Sequence, residues 1–203
     1  MCLEQHSQTN DTSESRTILE GQLRECYGRI VYSHKTHEKC ADILLERESG
    51  IKVVQIALSA ITAAGFVGVI FGAGTTGALA GALISTILLA INAYTKSSDL
   101  GGLAQKHRQA ATDLWLIRER QLSLLVDLKM NQKPIEALQG LRDKLIDQLH
   151  AIYGGAPSTN FKAYRRAQKA LQQLEDMTFS DSEIDAFLPK ELKRTRGSQH
   201  GLP

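Results

Sequence analysis

From Val53 to Thr95 the chain contains no Asp, Glu, Lys, Arg or His. A soluble helix needs a solvated face, so this absence excludes an ordinary water-soluble helix for the middle of the protein. Other things are missing too. No stretch alternates apolar and polar residues with the period of a strand, and no internal repeat is present. The three cysteines are Cys2, Cys26 and Cys40; the last two would stand about 21 Å apart on one helix, too far for a disulfide. The N-terminal "MCLEQHSQTNDTSESR" lacks the apolar core of a cleavable signal peptide and the Met-Gly start of a myristoylation site. A net charge of +2 and a mean hydropathy of −0.20 conceal all this, because the apolar residues are concentrated in one place.

As one helix the uncharged segment would extend about 64 Å at about 1.5 Å per residue, roughly twice the hydrocarbon core of a bilayer, so it must fold back. The predicted hairpin has a first span over 51–71, a turn at 72–77 ("GAGTTG") and a second span over 78–95, and serves as its own insertion signal. Gly72, Gly74 and Gly77 also match the dinucleotide-binding spacing G-x-G-x-x-G, with Asp99 where a ribose-binding acid would be sought. The surroundings decide against that reading: the following helix would have no solvated face, and the chain supplies no further strands for a parallel sheet. The glycines serve the reversal of the chain.

Basic residues flank the hairpin on both sides, with Arg24, Arg29, Lys35, Lys39, Arg47 and Lys52 before it and Lys96, Lys106, Arg108, Arg118 and Arg120 after it. The turn carries no charge, so both termini are expected in the cytoplasm and the cysteines reduced. On that side the pattern is helical. Leu23, Tyr27, Ile30, His34, His37, Ala41 and Leu44 repeat with 4-3 spacing, as do Leu103, His107, Ala110, Leu114, Ile117, Gln121, Leu124 and Leu128. The two are expected to pair antiparallel, with Gly101 and Gly102 loosening the chain between span and helix. Pro134 starts a third helix with the stripe Leu138, Leu141, Leu145 and Leu149. Ser158 or Thr159 caps a fourth helix reaching about Met177, and "SDSEIDAFL" reads as a short capped helix. The expected fold is an all-α membrane protein: a two-helix transmembrane hairpin, a cytoplasmic antiparallel helical extension and C-terminal helices. One domain spans 18–190, with a cytoplasmic helix over 18–50 and cytoplasmic helices over 100–188. Disordered tails are expected at 1–17 and 191–203.

In "RIVYSHKTHEKCADIL", residues 29–44, the combination Tyr32, His34, Lys35, Thr36, His37, Lys39, Cys40, Ala41 and Asp42, followed by two spans and a helical C-terminal region, resembles the SLATT family. These are the two-transmembrane effectors associated with SMODS nucleotide synthetases and SLOG nucleotide sensors, and the resemblance covers about residues 18–190. It implies a prokaryotic conflict-system effector of the inner membrane. Such an effector permeabilises that membrane when a partner senses infection, and kills or arrests the cell. No sensor or synthetase motif is found in these 203 residues, so the trigger is expected to come from a separate sensor, nucleotide synthetase or reverse transcriptase, or from a ligand.

Individual residues carry both bland and sharp readings. His34, His37 and Cys40 at i, i+3 and i+6 offer metal donors, but only neighbours three apart can share an ion, and no C-x-x-C closure exists. Imidazoles packed in the seam and hydrogen-bonded to the partner helix are the better account. His107 and His37 lie at heights differing by only about 6 Å. On that account His37→Leu is expected to keep or raise stability. No nucleophile elbow or comparable arrangement is present, so no catalysis, cofactor or metal is expected. Trp115 is read as core packing and Tyr94, beside Lys96, as an interfacial anchor. The bases of "YRRAQK" could meet phosphate, although a solvated helix face near anionic lipid is the commoner explanation. Direct nucleic-acid binding is not indicated.

Within the spans, Ala60, Ala64, Gly68 and Gly72 recur every four residues, and Gly77, Gly81 and Ser85 repeat the pattern. Such faces let helices approach closely. Gln55, Ser59 and Thr62 form a polar stripe, and Asn92 lies at the depth of Gln55. Gln55, Ser59, Thr62, Ser85 and Asn92 are candidate pore-lining residues, unless Gln55 and Asn92 simply bond each other. Two spans cannot enclose a water path, so a conducting state requires a homo-oligomer in the lipid membrane. The rival reading is a non-conducting scaffold or sensor that recruits a cytoplasmic partner.

Overall fold

The computed structural model describes residues 2–70, 74–173 and 179–189, with Lys193. Among these residues there are six helices and no strand: α1 Cys2–Ile70, α2 Gly74–Ser97, α3 Leu100–Met130, α4 Ile135–Gly155, α5 Phe161–Gln173 and α6 Asp181–Phe187. The all-α hairpin architecture read from the sequence is present.

The 4-3 spacing explains the backbone. In α1 it runs from Leu23 to Leu44 and continues in step through Glu48, Ile51, Gln55, Leu58, Thr62 and Gly65, every one buried or half-buried. A seven-residue repeat held this long keeps one face of a helix against a partner. In the spans the partner is α2, whose half-buried positions are Gly77, Gly81, Ile84, Leu88, Ile91 and Thr95. Beyond the spans it is α3, packed antiparallel on α1. The hairpin and the soluble pair are thus one seam.

α4 returns along the α1–α3 pair. At the far end Leu19, Leu23, Leu124, Leu128 and Leu138 form one apolar cluster; nearer the spans Ile30, Leu114 and Ile117 form another, with Leu145, Leu149 and Ile152 packed against it. Gln121, fully buried between them, donates its amide N–H to the Leu23 carbonyl at 3.1 Å. α5 then crosses α1 through Ala163, Ala167 and Ala170, all buried. α6 opens on a capping box between Ser180 and Glu183, as its sequence implied, and buries no residue.

Several boundaries differ from expectation. Residues 2–17 continue α1 where a disordered tail was expected. Arg16 donates to the carbonyls of Lys133 at 2.5 Å and Leu128 at 3.4 Å, and Leu19 is buried, so this end is docked against the α3–α4 turn. Adding residues to an existing helix then costs no new nucleus. The turn was placed at 72–77, but α2 already begins at Gly74, because glycine and threonine are well tolerated where a helix starts; residues 71–73, including Gly72, lie outside the described residues. Gly101 and Gly102 do not loosen the chain. They open α3, whose first turn is held by Asp99 accepting from the Gly102 N–H at 2.8 Å. This phase buries Ala104 and leaves Leu103 exposed. Trp115 is 47% exposed and not in the core, and Leu141 lies outside the packed stripe. The tail expected at 191–203 lies outside the described residues except for Lys193.

The cap of α5 is Asn160, whose Oδ1 accepts from the Ala163 N–H at 2.9 Å; neither Ser158 nor Thr159 fills that role. Asn160→Ala is expected to cost about 1 kcal/mol, read as a lowered midpoint of thermal unfolding of the solubilised protein.

The outer surface of the spans is bare. Ile56, Phe66, Ile70, Leu79, Leu83 and Leu89 are all more than half exposed, and the apolar window of each span contains no buried residue. Both helices are long and apolar enough to cross a membrane. Contiguous apolar surface of this extent needs lipid or protein against it.

Candidate functional site

The densest set of polar side chains in the interior lies where α1 is sandwiched between α3 and α5. The segment from His34 to His37 is buried throughout, followed by Cys40 and Ala41. An α-helix buries four consecutive residues only if partners cover more than one face, and α3 and α5 do so here. The motif residues of the sequence reading therefore divide by direction.

Toward α3, His37 Nδ1 and His107 Nδ1 are 2.9 Å apart, with ring centroids at 5.1 Å. One ring must donate and the other accept, so the pair holds one Nδ1 proton between them when both are neutral. Burial, then the neighbouring His107 and His34, press the His37 pKa down to about 4. Burial likewise lowers His107. His34 occupies the seam but does not bond across it: its Nδ1 is buried with no hydrogen-bond partner among the described residues, and its Nε2 lies 3.7 Å from Glu38 on its own helix. Burial lowers its pKa, with Glu38 opposing and Arg118 and Lys35 adding to the effect. The expectation of imidazoles bonded to the partner helix is met by His37 and not by His34.

Toward α5, Tyr32 stacks on Tyr164 with centroids at 5.9 Å and accepts a hydrogen bond from Gln172 at 2.7 Å. Asn160 donates to Cys40 Sγ at 3.8 Å, and burial pushes the Cys40 thiol up, which keeps it protonated and unreactive. Thr36 spends its hydroxyl proton on the Tyr32 carbonyl at 2.7 Å. Lys35 is buried with its ammonium 2.9 Å from Glu38, and Asp42 bridges Lys39 at 3.4 Å and Arg108 at 2.8 Å, tying α1 to α3. Among the described residues no three His, Cys, Asp or Glu side chains converge as metal ligands.

Beside His37 lies a cleft of about 320 Å³ lined by Tyr32, Ser33, Thr36, Tyr153, Ser158 and Tyr164 among others. Its lining is hydroxyl-rich and carries no Lys or Arg. Tyr153 and Ser158 were missed in the sequence because they come from the end of α4 and the α4–α5 connection, where nothing local marks them, and Ser33, on α1 between Tyr32 and His34, was passed over although Tyr153 donates to its hydroxyl at 2.8 Å.

In the spans, Gln55 Nε2 donates to Asn92 Oδ1 at 2.7 Å and reaches Thr95 Oγ1 at 3.5 Å. Ser59 and Thr62 donate to the carbonyls of Gln55 and Leu58 in their own helix, both at 2.8 Å. Ser85 is exposed beside Gly81. Of the proposed packing residues, Gly68, Gly77 and Gly81 are half-buried, whereas Ala60 and Ala64 face outward. Leu58, Gly65, Ile84 and Ile91 belong to the seam and went unrecognised. At the end of the spans Tyr94 accepts from Arg47 at 2.8 Å, with the guanidinium 5.7 Å from the ring, which suits an interfacial anchor.

Neither curated proteins nor solved structures provide a match to the chain. The family described as SMODS and SLOG-associating 2TM effector domain family 4 matches residues 19–183. That range takes in the histidine node, both spans and the helices that return onto α1, and the chain belongs to this SLATT family of two-transmembrane effector domains.

Proposed function

We propose that the protein is a membrane effector of a prokaryotic conflict system, inserted in the inner membrane with both termini cytoplasmic, which oligomerises and opens a weakly selective pore. The observation that carries this reading is the outer face of the hairpin. The seam between α1 and α2 takes up Leu58, Thr62, Ile84 and Leu88 but leaves Ala60 and Ala64 exposed, one turn apart, on a surface that lipid or protein must cover. Small residues in that position favour close helix approach between copies. The trigger comes from a separate partner protein or a ligand such as a nucleotide signal, and the cleft beside His37, hydroxyl-rich and without Lys or Arg in its lining, suits a neutral polar group better than a phosphate.

A second reading has its own support. Gln55 and Asn92 satisfy each other inside one hairpin, so these amides do not require a water path, and a non-conducting scaffold would show the same bond.

Ala60→Leu with Ala64→Leu leaves the hairpin seam untouched and obstructs the outer face, where overpacking costs about 1–3 kcal/mol. Crosslinked oligomer on gels and dye leakage from induced cells are both expected to fall with the double variant. Triggered wild-type protein that assembles without leakage would place the scaffold reading first; leakage unchanged by the variant would remove this face from assembly. Gln55→Leu should leave assembly near normal and lower leakage if Gln55 lines the path.

A further inference from the structure

The sequence of α5, "FKAYRRAQKALQQ", carries Lys162, Arg165, Arg166 and Lys169 and no acidic residue. Its alanine face is buried on α1, so the charges lie on the remaining surface, around a shallow depression of about 740 Å³. What distinguishes this helix from an ordinary solvated one is where its contacts hold it. Tyr164 and Gln172 both meet Tyr32, which fixes one side of α5 away from the spans. Arg166 reaches the other way and places its guanidinium 2.9 Å from both carboxylate oxygens of Glu46. Lys162 and Lys169, four before and three after Arg166, share its face.

Glu46 stands six residues before Lys52, the last charge ahead of the uncharged run. On a continuous helix that is about 9 Å, close to a headgroup layer of roughly 5–8 Å and within reach of a Lys or Arg side chain. The neighbouring charges at this level include Arg47, engaged with Tyr94, Glu48, paired with Lys52 at 2.6 Å, and, where the second span meets α3, Lys96 and Asp99, the latter occupied as the α3 cap.

We propose that the span-facing side of α5, Lys162, Arg166 and Lys169, binds the headgroups of anionic phospholipids in the leaflet next to the helical bundle. The proposal rests on the two-span membrane reading and not on pore formation. Phosphate oxygens accept from all three side chains, and the buried alanine face holds the helix across α1 so that the three cations reach the headgroups together. Each cation held near an anionic surface raises affinity on the order of fivefold.

The test uses the full chain, solubilised from an equimolar mixture of phosphatidylglycerol and phosphatidylcholine, with the retained lipids counted by native mass spectrometry. Wild type is expected to retain phosphatidylglycerol over phosphatidylcholine by about fivefold or more. Lys162→Gln/Arg166→Gln/Lys169→Gln should bring the ratio close to one. A charge-matched variant at the far end of the bundle, Lys129→Gln/Lys133→Gln/Lys144→Gln, should keep the wild-type ratio. Lys162→Gln/Lys169→Gln spares the Glu46 pair and should lower the ratio partway, which covers the case in which the triple variant fails to fold. No enrichment in wild type, an equal loss in both triple variants, or co-purifying nucleic acid lost only from the α5 variant would overturn the proposal. A chain released from membranes by carbonate would fail the membrane reading itself, before any lipid ratio is measured.

Discussion

Leu114→Ala is expected to destabilise the helical bundle by about 3 kcal/mol, within the range of about 2–5 kcal/mol typical of buried leucine truncations. Leu114 is completely buried against Ile30 and Ile117, with Cys26, Leu145, Leu149 and Ile152 closing the cluster from α1 and α4. Three helices meet there, so none can move into the vacated volume without leaving its other contacts, and much of the cavity should persist. Leu103→Ala provides the comparison, because Leu103 is exposed and its loss should fall within about 0.5 kcal/mol. Thermal unfolding of the solubilised protein followed by circular dichroism reads both. Equal midpoints for the two variants would contradict the packing described.

Acidification should destabilise the same bundle through the histidine node. His37 titrates at about 4 when folded against 6.5 when unfolded. Between those values the unfolded chain binds more protons, so stability is complete above about pH 6.5 and is lost as pH falls toward 4, by roughly 1–3 kcal/mol for the coupled pair taken together. His34 and His107 shift in the same direction. The Nδ1 pair at 2.9 Å accommodates one extra proton as a charged donor to a neutral acceptor; a second would set two N–H groups against each other. The expectation that His37→Leu would keep or raise stability is therefore revised: alone it leaves His107 Nδ1 buried without its partner, at about 1–3 kcal/mol. His37→Leu/His107→Leu should recover most of that loss and flatten the profile between pH 7.5 and 5. Unfolding midpoints across that range decide the matter, and a wild-type profile without slope would show that the node is not protonated on unfolding.

The hairpin and the α1–α3 pairing were legible because water supplies contrast. The absent charges marked the spans, the 4-3 spacing marked the soluble seam, and counting from Lys52 and Lys96 brought His37 close to His107. Inside the spans that contrast fades: most side chains are apolar, so Leu58 or Ile84, half-buried in the seam, stood apart from exposed Ala60 only by a 4-3 count carried on through the membrane boundary, which no change from apolar to polar marks there. The crossing of α5 was illegible for a related reason, since Ala163, Ala167 and Ala170 pack through small size and leave only a faint apolar period. The docking of Arg16 on the Lys133 carbonyl depends on a turn more than a hundred residues away. Asn160 outranked Ser158 and Thr159 as a cap through the path of the preceding connection, which composition does not encode.

The two spans are joined to the bundle in different ways. α1 passes from the histidine node into the first span without a break, whereas the second span is separated from α3 by Ser98 and Asp99 outside any helix. The first span and the bundle therefore share one axle, and a roll or tilt imposed at His37 would be carried along one continuous helix to Gln55. The second span hangs from a knee, where a few backbone dihedrals can absorb the same motion. A movement of the bundle would consequently reach the hairpin as a shear between the two spans, with the Gln55–Asn92 bond lying across it.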